Sequence, residues 1–126
     1  MTATETTRAA ATTYFDAWRA RDFDRLRTVL HPDVRFTGVM GAAEGADACI
    51  AGLRGMAESI MTDITLDARV VEGADAMTWF ALHTAHTDPI PTVNWSHVEH
   101  GVITRIRVTF DPRPLRRGDR AAPARS

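Results

Sequence analysis

Between residues 63 and 110 the chain passes through four alternating segments, "DITLDARVV", "AMTWFALHTAH", "PTVNWSHVE" and "VITRIRVTF". They are separated by "EGAD", "TDPIP" and "HG", all good turn sequences. Consecutive strands joined by short turns pair antiparallel, so this part of the chain is committed to one sheet. The segments run to roughly nine to eleven residues, longer than the usual strand of about five or six. A sheet of such strands twists, and it can curl around a helix to leave a pocket.

The residues before position 63 have a different texture. In "TTRAAATTYFDAWRARD" the residues Ala10, Tyr14, Ala17, Trp18 and the stem of Arg21 recur at helical spacing, behind possible N-caps at Thr6 or Thr7. "DFDRLRTVLHPD" restarts on Asp22 as N-cap and sets Leu26, Val29 and Leu30 on one face before His31-Pro32 ends it. "VRFTGV" alternates as a strand, and "MGAAEGAD" breaks it with two glycines. "DACIAGLRGMAESIM" restores the helical period through Ile50, Leu53, Met56, Ala57 and Ile60, weakened by two glycines. Helix, helix, strand, helix and then four antiparallel strands describe an α+β domain with its helices segregated against the sheet. We expect one domain over residues 1–115 and a flexible Arg-rich tail over 116–126.

Composition narrows the classes of function. All fifteen basic residues are Arg, and five of them fall in residues 113–126 beside a single Asp. The remaining body carries ten Arg against fifteen acidic residues, a balance of −5 that makes nucleic acid an unsuitable partner. No run approaches the roughly 18 apolar residues of a spanning helix, and "MTATETTRAA" lacks the apolar segment of a signal peptide, so a soluble, cytoplasmic protein without membrane contact is expected. The one cysteine, Cys49, excludes an internal disulfide, and its place beside Ile50 on a helix points to burial rather than reactivity.

Three blocks carry a family resemblance: "YFDAWRARDFDRLRTVLHPDVRF", "GADACIAGL" and "VEHGVITRIRVTFDPRPL". Over roughly residues 8–115 the sequence resembles the nuclear transport factor 2-like superfamily, in particular its SnoaL-like, polyketide cyclase-like and ketosteroid isomerase-like members. The resemblance implies a cone-shaped, curved antiparallel sheet wrapped around N-terminal helices, the α+β barrel also called cystatin-like. It implies an apolar pocket between sheet and helices, and a homodimer through the outer sheet face. Carried onto this chain, Tyr14 matches the oxyanion-binding tyrosine of the ketosteroid isomerases, and Asn94 stands on or next to their second oxyanion donor. Their proton-shuttling aspartate falls on Thr37 or Gly38, neither of which is a base. One catalytic aspartate of the limonene epoxide hydrolases appears as Val108.

Three of the five histidines lie in "HTAHTDPIPTVNWSH". With "TDPIP" as the turn, His83 opposes Ser96, Ala85 opposes Asn94 and His86 opposes Val93. Alternation then places Met77, Trp79, Ala81, His83 and Ala85 on one face with Asn94, Ser96 and Val98, and the resemblance makes that the pocket face. His86, Trp95 and His97 go to the outer face. His83 and His86 diverge on a strand, and His86 and His97 stand about 13 Å apart at about 3.4 Å per residue, so no metal site is expected.

This arrangement leaves His83 as the titratable group in the cavity, either a proton carrier or a buried histidine satisfied by Ser96 or the backbone. Tyr14 and Trp18, one helical turn apart, are either core or a ligand's hydrogen-bond donor and apolar wall. Met40, Leu53, Met56 and Ile60 would complete a greasy cavity or the core, Trp79 and Val108 are further candidate ligand-binding residues, and Arg105 and Arg107 face outward. The leading expectation is a cofactor-independent enzyme that isomerises, cyclises or dehydrates a small hydrophobic oxygenated metabolite. His83 would move the proton, while Tyr14 and Asn94 would hold the developing oxyanion. A non-catalytic module for hydrophobic ligands, and an epoxide hydrolase-like enzyme with His83 activating water, are the alternatives.

Overall fold

The computed structural model describes residues 2–116. The chain opens with α1 (Ala3–Arg19), α2 (Phe23–Arg27), β1 (Leu30–Gly38) and β2 (Gly41–Glu44). It continues through α3 (Ala46–Ser59), β3 (Met61–Glu72), β4 (Asp75–Thr84), β5 (Ile90–Glu99) and β6 (Val102–Phe110). Six strands form one curved sheet in the order β2-β1-β6-β5-β4-β3, with the helices against its concave side. The fold is the expected mixed α+β architecture with N-terminal helices. Residues beyond 116, on which the flexible-tail expectation falls, lie outside the described residues.

Local chemistry accounts for most of the boundaries. Helix α1 starts earlier than Thr6 or Thr7 because Thr2 and Glu5 cap it reciprocally, each side chain meeting the other residue's backbone N–H. Thr7 instead lies buried in the helix and donates its hydroxyl to the Gly73 carbonyl at 2.8 Å, tying α1 to the β3–β4 turn. Asp22 does cap α2, accepting from the Arg25 N–H. Arg21 closes the α1–α2 bend in a left-handed conformation and reaches back to the carbonyls of Ala57 and Met61, at 3.1 and 3.0 Å, at the end of α3. His100 and Gly101, both at positive φ, make the two-residue β5–β6 turn that "HG" foretold.

Two features of the sheet go beyond the sequence pattern. "MGAAEGAD" contains the short strand β2, which pairs antiparallel with β1 across a Val39–Met40 turn. Its Ala and Gly residues carry no alternation, so the strand exists through backbone pairing alone. Strand β1 also runs parallel to β6, so the sheet is mixed rather than wholly antiparallel. The helical connections through α3 and the three hairpins carry the chain back to β1's open edge.

The core lies between α1, α3 and the sheet. Tyr14, Phe15, Trp18 and Phe80 form an aromatic cluster, with ring centroids 5.0 Å apart for Tyr14–Phe15 and 5.1 Å for Phe15–Phe80. Leu26, Val34, Ile103 and Ile106 are fully enclosed around it. The Trp18 indole N–H donates to the Leu53 carbonyl at 3.1 Å, which fixes α1 to α3 without a stray buried donor.

Candidate ligand-binding site

A cavity of about 260 Å³ opens between α1, α3 and the concave side of the sheet. Its buried end is made by Tyr14 and Trp18 of α1, Cys49 and Leu53 of α3, and Phe80, Leu82, Thr92 and Asn94 of the sheet. Phe36, Met56, Val108 and Phe110 continue the wall, and the β1–β2 hairpin from Gly38 to Ala43 borders the mouth. The surface is overwhelmingly apolar, so the few polar atoms in it decide what it can recognise.

Two of those polar groups are already engaged. Thr92 donates its hydroxyl to the Ile90 carbonyl at 3.0 Å, and the Trp18 N–H is held by Leu53. Tyr14 and Asn94, each only 1% exposed, remain. The Ser96 hydroxyl donates to Asn94 Oδ1 at 2.8 Å, which turns the amide NH₂ toward Tyr14. Burial pushes the Tyr14 phenol well above its usual range and the neighbouring Cys49 adds to the rise, while the hydrogen bond with Asn94 opposes it. The amide NH₂ can donate to the phenol oxygen, an arrangement that leaves the phenolic proton for another acceptor.

Burial pushes the Cys49 thiol up to about 11, so it is protonated and inert at neutral pH, as its helical position suggested. Tyr14 and Cys49 are the lining groups among the described residues that can ionise, and both are neutral at pH 7. Gly38 borders the cavity and Thr37 is exposed, so the place where the ketosteroid isomerase resemblance puts a base supplies none.

The β4–β5 register corrects the placement of His83. Asn94 pairs with Thr78 instead of Ala85, and Ser96 pairs with Ala76 instead of His83, a slip of seven residues along β4. An odd slip exchanges the faces of a strand. Asn94, Ser96 and Val98 do face inward, but their companions on β4 are Ala76, Thr78, Phe80 and Leu82. Met77, Trp79 and His83 lie on the outer face, where Trp79 is 49% exposed. His83 holds the Thr65 hydroxyl at 2.7 Å, on the far side of the sheet from the cavity.

The physical cause is that β4 is apolar in both phases. Fit decides between them: Phe80 packs against Phe15 and Trp18 with Leu82 sealed under the helices, while Met77 and Trp79 remain outside. The same alternation, read in the other phase, would have found Phe80 and Leu82; Gly52, Val39 and residues 41–43 carry no signal of their own in the sequence. Of the other expected wall residues, Trp18, Met40, Leu53, Met56 and Val108 line the cavity, and Ser96 sits behind Asn94. Trp79 does not line it.

The remaining histidines are dispersed. His97 meets Asp75 at 2.7 Å on the outer face, where the Trp95 N–H reaches the same carboxylate, and His31 accepts from the Asp33 N–H within β1. His86 lies exposed in the loop after β4, and His100 is in the β5–β6 turn. Arg105 and Arg107 are exposed, with Arg107 over the Trp95 ring.

The SnoaL-like domain model matches residues 11–106. The chain belongs to the SnoaL-like family. Many solved structures share its fold, among them the following three. A protein of Kribbella flavida superimposes with a TM-score of 0.86 at 23% identity, over 92% of this chain and 95% of that one. A protein from the same organism, proposed to be a ketosteroid isomerase, gives 0.78 at 23% identity over 88% and 82%. An LEH-like epoxide hydrolase of M. tuberculosis gives 0.76 at 22% identity over 91% and 90%. At these identities the likeness is one of fold, which hosts more than one chemistry. The sequence matches no curated protein. No helix among the described residues is long and apolar enough to cross a membrane.

Proposed function

We propose that this SnoaL-like protein binds a small hydrophobic molecule carrying one oxygen acceptor, and that Tyr14 donates its proton to that oxygen. The observation that supports this is the buried pair Tyr14 and Asn94, the amide oxygen held by Ser96, in the lining of an otherwise apolar cavity. A buried phenol needs an acceptor for its proton, and an amide donating to its oxygen would polarise that proton. Asn94 keeps a second N–H that can serve the same oxygen.

Binding without conversion fits the cavity better than proton-shuttling isomerisation. Enolisation needs a base beside the carbon that loses its proton, and the described lining residues offer none that is ionised or basic near pH 7. Epoxide opening likewise has no carboxylate in that lining. If the protein is an enzyme, the donor pair favours electrophilic activation of a carbonyl, which suits a cyclisation or dehydration that needs polarisation more than a strong base. The exposed Met77, Trp79 and Val70 on the outer face support a homodimer through that surface. A monomer mass from light scattering would remove it.

The reading is tested by titrating a ketone and the hydrocarbon of the same shape. Tyr14→Phe should weaken the ketone by about threefold to tenfold, the net worth of one hydrogen bond, and leave the hydrocarbon unchanged. A Tyr14→Phe protein that binds the ketone as tightly as the wild type contradicts the reading. Steady turnover of the ketone by wild type would establish the enzymatic alternative.

A further inference from the structure

Helix α3 turns Cys49, Gly52, Leu53 and Met56 toward the cavity, and Gly52 is the one whose identity needs a reason. A glycine inside a helix is usually accounted for by something that approaches too closely for a side chain. Nothing does here, because a Cβ at Gly52 would meet no atom within 4 Å. Gly52 is exposed while Cys49 and Leu53 beside it are buried, so it stands at the rim of the cavity and they form its floor. The tip of the β1–β2 hairpin, whose strands contact α3, lines the same space with Val39 and Met40, 44% and 62% exposed. The hairpin therefore offers apolar side chains standing in water at this rim, and α3 at position 52 offers none.

We propose that Gly52 is the specificity-determining residue of the pocket. Its missing side chain leaves a slot between α3 and the Val39–Met40 tip, through which the apolar tail of a ligand leaves while its oxygen is held at Tyr14. The inference rests on the reading of the cavity as a ligand site and adds the shape of the ligand. The class it selects is elongated, with one hydrogen-bond acceptor at the head and a narrow apolar tail that outruns a cavity of about 260 Å³. That tail covers Val39 and Met40, which accounts for two large apolar side chains at a hairpin tip. Gly55, one turn further along α3, has equally open surroundings and does not line the cavity, so it serves as an internal control.

The test is displacement of the fluorescent probe 1-aminoanthracene by a compact ketone, cyclohexanone, and a long one, 2-undecanone. Gly52→Leu should weaken 2-undecanone by at least about tenfold and cyclohexanone by less than about twofold. Gly52→Ala should fall between wild type and Gly52→Leu, and Gly55→Leu should leave both ketones as they are. Thermal melts accompany the titrations, and Gly52→Leu should melt no lower than wild type because leucine is the better helix former. Should it melt lower, the Gly52→Ala protein carries the same comparison with a smaller change. Equal weakening of both ketones, or of neither, overturns the role of Gly52. A wild-type protein that takes up neither the dye nor either ketone overturns the ligand reading itself, and the inference falls with it.

Discussion

The two faces of the β4–β5 ladder are built from neighbouring residues of the same two strands, yet they live in different solvents. On the concave face Phe80 and Leu82 are sealed under the helices beside Asn94 and Ser96, joined through the Ser96 hydroxyl and Asn94 Oδ1. On the convex face Trp79 and Met77 stand half in water, and His83 and His97 each have a single hydroxyl or carboxylate partner near solvent. The difference teaches that apolar content did not sort the faces, since a tryptophan and a methionine are outside while an asparagine is inside. Volume and hydrogen-bond closure did: the space under α1 accepts Phe80 against Phe15 and Trp18, and Asn94 is tolerated there because Ser96 and Tyr14 complete it.

The sharpest way to break the comparison is to truncate adjacent residues. Phe80→Ala should cost about 3–5 kcal/mol in urea unfolding, the value for an aromatic removed from a packed core. Trp79→Ala should cost less than about 1 kcal/mol in the monomer, as a half-exposed position does. Similar losses at the two positions would mean that the faces are not distinct.

A second contrast lies in alkaline stability, which the concave face controls through Cys49. Burial raises this thiol from 9.0 to about 11, so the folded protein holds its proton more tightly than the unfolded chain. Its contribution is fully present below pH 9 and is lost as the pH rises through about 11, a loss on the order of 2–3 kcal/mol. Cys49→Ala should flatten the fall in unfolding free energy from pH 9 upward, leaving the decline above pH 10 that Tyr14 causes. An unchanged slope in Cys49→Ala would show that the thiol is not sealed.

The smallest effects separate the two polar residues that the sequence set side by side. Asn94→Ala strands the Ser96 hydroxyl and removes the donor to Tyr14, at about 1–3 kcal/mol. His83→Ala removes one bond to Thr65 near solvent and should stay within about 0.5 kcal/mol, with no change in ketone affinity. A loss of ketone binding in His83→Ala would return that residue to the site and contradict the register.

Much of the site could be read from residues alone. Tyr14 and Trp18 are one turn apart on a helix with a clear apolar stripe, and Leu53 and Met56 fall at the same period on α3, so their convergence followed from helical geometry. Val108 and Asn94 were found through the family resemblance and strand alternation. The phase of β4 was not legible, because Met77-Trp79 and Phe80-Leu82 are equally plausible core pairs. Strand β2 escaped because glycine and alanine leave no periodic trace.

What the sequence by itself determined is the inventory: two capped N-terminal helices, a third helix, long strands with turn residues between them, and a phenol within reach of an apolar space. Tertiary structure alone decided which face of β4 turns inward. Alternation specifies that neighbours diverge and leaves open which of them is buried. That choice was made when the sheet met α1 and α3, where the volume under the helices fits Phe80 and Leu82, and it carried His83 to the far side of the sheet from Tyr14.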